Sequence, residues 1–209
     1  MKLFVLGATG PTGLQIVQQA LAQGHEVTVF VRDPAKLPVR HERLKTVTGA
    51  LPGDAKALAA ALRGHHAVIS SLGLHNALKA RRFSENNMRV LVPAMQQQGV
   101  RRLIIVSANG VGDTHKDSPL LPRIMYRLLL TDIFADKKAG EDIVRASGLD
   151  WTFAYPTLLT NGPRTGDYRA AERLELKGMP KISRADVADF VLRQLKDPAF
   201  LKKGAVISD

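Results

Sequence analysis

The sequence predicts an α/β fold in which a doubly wound, mostly parallel sheet is covered by helices on both faces. Two observations carry that prediction. Short apolar, β-branched runs alternate with amphipathic helical patterns from Lys2 to beyond Arg184, and that alternation is the signature of parallel strands joined by right-handed crossovers. The junction of the first strand with the first helix is a run of three glycines, Gly7-Ala8-Thr9-Gly10-Pro11-Thr12-Gly13.

Taken in order, Lys2 to Leu6 is a buried strand, and Leu14, Val17 and Leu21 form the apolar stripe of a helix that Gly24 closes. His25 to Val31 alternates as a second strand and ends at Arg32-Asp33-Pro34. Leu44 to Thr48 is a short third strand, followed by a helix from Asp54, its N-cap, to Arg63. His66 to Leu72 is the fourth strand. Ser84 to Gln98 is a helix closed by Gly99, and Arg102 to Ser107 is the fifth strand. Residues 108–122 form a loop at the C-terminal end of a central strand, where substrate loops belong. A long helical region from Arg123 to Ser147 leads to a sixth strand, Trp151 to Tyr155, that Pro156 ends. Thr160 to Tyr168 is turn chemistry and a second substrate lip, Arg184 to Leu195 is a helix capped by Ser183, and Ala205 to Ser208 returns as an edge strand. The whole reads as a single Rossmann-like domain over residues 1–209 with a small C-terminal substrate lip.

The glycine turn has a chemical consequence. A diphosphate laid across the first turn of a helix meets unpaired backbone N–H groups and the positive end of the dipole. Gly7 permits the tight exit from the strand, Gly10 the close approach of a pyrophosphate, and Gly13 the packing of helix on sheet. The end of the second strand then reads the adenosine ribose: an acidic residue there suits NAD, and an arginine suits the 2′-phosphate of NADP. Arg32 comes first and Lys36 follows, so NADP(H) is the expected cofactor. Asp33 is the residue that would instead take a ribose hydroxyl. Ser70, Ser71, Leu72 and Gly73, at the end of the fourth strand, fall where the nicotinamide half lies, although packing is the ordinary role of such serines.

Composition narrows the function. The chain has 209 residues, no cysteine and a net charge of +11, which removes disulfides, thiol nucleophiles and cysteine metal sites and favours anionic ligands. Its basic residues are scattered (Arg32, Arg63, Arg81, Arg101, Arg145, Arg184) with few interleaved aromatics, so no nucleic-acid partner is expected. The absence of a long apolar segment or a leader points to a soluble, cytoplasmic protein with no membrane partner. No two histidines have metal-ligand spacing, and no metal is expected. The pattern leaves a monomer and a weak dimer equally open.

On Gly7-Ala-Thr-Gly-Pro-Thr-Gly13, Val31-Arg-Asp-Pro-Ala-Lys-Leu37, Ser71-Leu-Gly73, Val106-Ser107, Ser147-Gly-Leu149 and Ile182-Ser-Arg-Ala-Asp-Val-Ala188, the chain resembles the atypical short-chain dehydrogenase/reductases. Within them it is most similar to the NAD(P)H-binding group that includes flavin and biliverdin-IXβ reductases and the NmrA-like proteins. The resemblance implies NADPH-dependent reduction, with the nicotinamide near Ser107 and the Tyr155-Pro156-Thr157 turn. It also implies a cofactor or substrate role for Lys137 and a substrate contact for Arg123. Two positions depart from the group: Ala50 stands where an acidic residue often neighbours the adenine, and Tyr155 where NmrA-like chains often carry arginine.

The Tyr-x-x-x-Lys pair of the better-known dehydrogenases is missing, since Leu130 stands four residues after Tyr126 and Ile133 four before Lys137. A conjugated acceptor such as a flavin, quinone or linear tetrapyrrole delocalises incoming charge and takes its protons from water, so it needs positioning more than a phenolic acid. Ser107 is then the principal site residue, as a donor to the nicotinamide or to an acceptor carbonyl. His75 and His115 are loop residues able to donate a proton. The expected function is an NADPH-dependent oxidoreductase acting on a small-molecule redox acceptor. The alternative is an NADP(H)-binding redox sensor of the NmrA-like type that turns over little.

Overall fold

Each apolar run of the sequence becomes a strand whose side chains point alternately to two helical layers. In the computed structural model, residues 1–74, 80–112, 114 and 131–209 are described. In chain order these give β1 (Lys2–Leu6), α1 (Pro11–Ala22), β2 (Glu26–Val31), β3 (Leu44–Thr48), α2 (Ala55–Leu62), β4 (Ala67–Ser70), α3 (Phe83–Gln97) and β5 (Arg102–Val106). Then come α4 (Thr131–Arg145), β6 (Asp150–Pro156), β7 (Leu158–Thr160), β8 (Arg169–Ala171), β9 (Lys181–Ser183), α5 (Arg184–Arg193) and β10 (Lys203–Ser208). The main sheet runs β3-β2-β1-β4-β5-β6-β10-β8, and β7 pairs with β9 in a small sheet of its own. All neighbours in the main sheet are parallel except β10 and β8.

Alternation along β1 shows how the layers form. Leu3 and Val5 face α1 and α5 with Ile16, Val17, Ile104 and Val191. Phe4 and Leu6 face α2, α3 and α4 with Leu58, Leu91, Leu103, Val144 and Phe153. Every one of these side chains is buried.

Three features depart from the sequence reading. β10 is an interior strand, hydrogen-bonded to β6 on one side and covered on the other by the three-residue antiparallel β8. Asp54 makes no side-chain cap of α2; its carboxylate accepts from the Ala50 amide at 2.7 Å and closes the preceding turn. Helix α3 also lacks a cap of its own and begins after Arg82 in the left-handed conformation. It is capped from α4 instead: the buried Asp136 accepts from the Ser84 and Glu85 amides at 2.8 and 3.2 Å, and Asp132 accepts from the Ala80 amide at 2.6 Å. A carboxylate at a helix N-terminus satisfies otherwise unpaired donors and meets a favourable dipole. Gly140 permits this approach, because a Cβ there would lie 3.1 Å from the Ser84 backbone.

The lip at 160–168 is tied down from α5. Ser183 caps the helix as the sequence predicts, accepting from the Asp186 amide at 2.9 Å. The buried Asp186 accepts from the Thr165 and Gly166 amides, both at 2.8 Å, and these bonds hold its carboxyl below the usual carboxylate range against the opposing effect of burial. Among the described residues no helix is long and apolar enough to cross a membrane.

Candidate active site

The glycine turn is a close-packed cradle. Gly7 has φ +79°, and a Cβ on it would stand 2.7 Å from the Ser71 backbone. A Cβ on Gly13 would collide with the Gly7 carbonyl oxygen and reach within 2.7 Å of the Ser71 hydroxyl. Ser71 therefore packs the turn, donating its hydroxyl to the Leu6 carbonyl at 3.1 Å. Gly10 occupies the N-cap position of α1 with no side-chain cap, and Pro11 fills the first turn. The Thr12 and Gly13 amides are thus left for an anion, with Thr9 exposed at the mouth. This fits a cofactor diphosphate, which those amides and the α1 dipole would hold.

At the end of β2, Arg32 and Lys36 are exposed. Asp33 is spent locally: its carboxylate accepts from the Ala35 amide at 3.0 Å and caps the short 3-10 turn Pro34–Lys36, with Lys36 Nζ 3.9 Å away.

A second cleft, open to solvent, lies between the C-terminal ends of β4 and β5 and the helices α3 and α4. Its walls bring together Ser70 and Leu72 from the fourth strand, Ser107 from the fifth, and Lys137 and Glu141 from α4. Glu141 is the hub. Ser107 Oγ donates to its Oε1 at 2.6 Å and the Tyr155 hydroxyl to its Oε2 at 2.6 Å, while Arg145 Nη2 stands 3.1 Å from Oε2 and 3.0 Å from the phenol oxygen. Glu141, Tyr155 and Ser107 are all buried. Burial first, then the Glu141 charge, pushes the Tyr155 phenol far above its usual range, so it stays a donor. Arg145 also lies over the rings of Trp151 and Phe153, at 5.0 and 4.8 Å from their centroids. Lys137 is held below the ordinary lysine range by burial, opposed by Glu141 and Asp136.

This placement corrects one expectation. The single hydrogen of Ser107 is committed to Glu141, so toward any other group Ser107 accepts rather than donates. The Tyr155-Pro156-Thr157 turn is likewise turned inward: the phenol meets Glu141, Pro156 lies in β6, and the Thr157 hydroxyl donates to Ser208 Oγ at 3.2 Å. Gly73 is exposed at the end of β4. His75, His115, Arg123 and Tyr126 lie outside the described residues. No group of His, Asp or Glu among the described residues is arranged to hold a metal. Sequence reasoning missed Glu141, although its spacing from Lys137 puts both on one helix face.

The model of an NAD(P)H-binding family matches residues 7–198. The chain belongs to that NAD(P)H-binding family. Among curated relatives, the uncharacterised sugar epimerase YhfK of Bacillus subtilis is 30% identical over 94% of this chain and 89% of its own length. A chloroplastic protein of Arabidopsis thaliana is 30% identical over 79% of this chain, and the match spans 62% of the Arabidopsis protein. Two solved structures share the fold. A short-chain dehydrogenase/reductase of Veillonella parvula, in complex with NADP, has TM-score 0.84, 21% identity and coverage of 100% of this chain and 94% of its own. ChuY, an anaerobilin reductase of Escherichia coli O157:H7, has TM-score 0.80, 22% identity and coverage of 99% and 96%. This member of the NAD(P)H-binding family thus carries, beside its glycine turn, a cleft lined among the described residues by the buried Glu141 and by Lys137.

Proposed function

We propose that the chain is an NADPH-dependent reductase that passes hydride from the nicotinamide to a conjugated acceptor of the flavin, quinone or linear tetrapyrrole kind. The observation that carries this reading is the chemistry of the cleft. Among the described residues its ionisable groups are Lys137 and Glu141, and Ile133 stands four residues before Lys137, where the better-known dehydrogenases carry their phenolic acid. Alcohol and ketone chemistry needs a strong, aligned proton donor at that point; reduction of a conjugated ring does not.

The nicotinamide, when bound, supplies the hydride. The chain's own residues do the rest. The amides of Thr12 and Gly13 bind the diphosphate, and Arg32 and Lys36 take the 2′-phosphate, since Asp33 is already engaged with the Ala35 amide. Ser107, oriented by Glu141, presents an acceptor lone pair to a carboxamide or ribose donor. Lys137 places a positive charge where the reduced acceptor gains electron density. Apolar Leu72, Phe83, Met88 and Ile105 line the remaining wall and exclude water from the ring faces.

The test is anaerobic oxidation of NADPH, and separately NADH, with FMN, biliverdin and a simple quinone in turn. Turnover with NADPH that exceeds NADH by about tenfold or more supports the reading. Tight NADPH binding without turnover on any acceptor would overturn it in favour of a redox sensor.

A further inference from the structure

Asn87 sits on α3 with 1% of its surface exposed, and among the described residues neither its amide nitrogen nor its carbonyl oxygen has a hydrogen-bond partner. It lines the same cleft as Ser107, Lys137 and Glu141. A buried amide unsatisfied at both atoms is destabilising at each, and the neighbouring buried positions of this helix, Met88, Leu91 and Val92, are apolar. An apolar residue at 87 would carry no such cost. What the amide offers in exchange is a donor and an acceptor side by side in one plane, which pair in parallel with a ligand edge carrying an acceptor next to a donor.

We propose that Asn87 is the specificity-determining residue of the cleft and that it selects acceptors with a lactam or imide edge, a ring N–H beside a ring C=O. This rests on the reductase reading above. Flavin-type rings and the terminal rings of linear tetrapyrroles carry such an edge, whereas a simple quinone has carbonyls and no N–H. Asn87 Oδ1 accepts from the ring N–H, and Asn87 Nδ2 donates to the adjacent carbonyl. Leu72, Phe83, Met88 and Ile105 supply apolar contact for a flat ring. Hydride arrival adds two electrons to the ring system and the accompanying proton comes from solvent; in between, negative charge collects on the ring carbonyl, which Asn87 Nδ2 and the Lys137 ammonium stabilise. The cofactor's adenine presents a similar edge but belongs at the end of β2, beside Arg32.

The experiment compares lumiflavin with its N3-methyl derivative, which lacks the ring N–H. Each is titrated by fluorescence quenching into the protein saturated with NADP⁺, in wild type and in Asn87→Leu. The wild type is expected to bind lumiflavin about tenfold or more tighter than the methylated ring, and Asn87→Leu to bind the two alike. Its affinity for NADP⁺ should be unchanged. Equal affinities in the wild type, or no binding of either flavin, would overturn the assignment. A loss of NADP⁺ affinity in Asn87→Leu would overturn it too, by giving the amide to the nicotinamide carboxamide. If Asn87→Leu does not fold, Asn87→Ser carries the same comparison. NADPH oxidation measured alongside separates the two claims: discrimination in binding without turnover removes the reductase function and leaves Asn87 as the reader of the edge.

Discussion

Replacing Tyr155 by Phe removes one oxygen from the middle of the Glu141 network. The phenol donates to Glu141 Oε2 at 2.6 Å and accepts from Arg145 Nη2 at 3.0 Å, and its residue is 4% exposed, as is Glu141. A buried hydrogen bond to a charged group contributes about 1.5–3 kcal/mol. Arg145, with 43% of its side chain exposed, remains to meet the same carboxylate and offsets part of the loss, so about 2 kcal/mol of destabilisation is expected. For a domain of this size that lowers the melting temperature by about 4–8 °C. Urea unfolding followed by circular dichroism should show a lower midpoint with an unchanged slope. Because Ser107 bonds the other Glu141 oxygen, turnover should fall as well. A change in stability below about 0.5 kcal/mol would refute the view that this network holds the cleft together.

Three further outcomes follow from the same geometry. Gly13→Ala forces a Cβ into the Gly7 carbonyl and should cost about 1–3 kcal/mol of stability together with NADPH binding, measured by calorimetric titration. Arg32→Ala combined with Lys36→Ala should weaken NADPH about tenfold or more and leave NADH nearly unchanged; equal losses would return the ribose contact to Asp33. Lys137→Met should abolish most turnover yet stabilise the fold at neutral pH. Burial holds Lys137 below its ordinary value of 10.5, so the native state binds this proton less well than the unfolded chain. The resulting penalty is full at pH values below the lowered native value and fades as pH rises toward 10.5. The stability difference between variant and wild type should shrink over that window in paired unfolding curves.

Much of the fold is legible in the sequence itself. The glycine turn, β1, β2, β4 to β6 and the Ser183 cap all follow from local patterns, because each rests on a requirement confined to a few adjacent residues. β7, β8 and β9 were not legible: three residues give no period to read, and their pairing is decided by distant chain. The sequence reads β10 as an edge strand for the same reason, since only the three-residue β8 covers its outer side. Motif and resemblance name Ser107 and Lys137, which both line the cleft, but not the direction of the Ser107 hydrogen bond, because it depends on Glu141 one turn beyond Lys137. Glu141 and Asn87 are polar residues in amphipathic helices and read as solvated surface. Only the sheet packed beneath α3 and α4 shows that they face inward.

In the proposed reaction hydride leaves the nicotinamide for a conjugated acceptor in the cleft of Lys137, Glu141 and Asn87. The most direct test is an anaerobic single turnover of the NADPH-loaded protein with FMN and with biliverdin, comparing NADPH with NADPH deuterated at either face of C4. The expected result is oxidation of NADPH that slows when one particular face is deuterated and is indifferent to the other. Tight NADPH binding with no oxidation by either acceptor would contradict it.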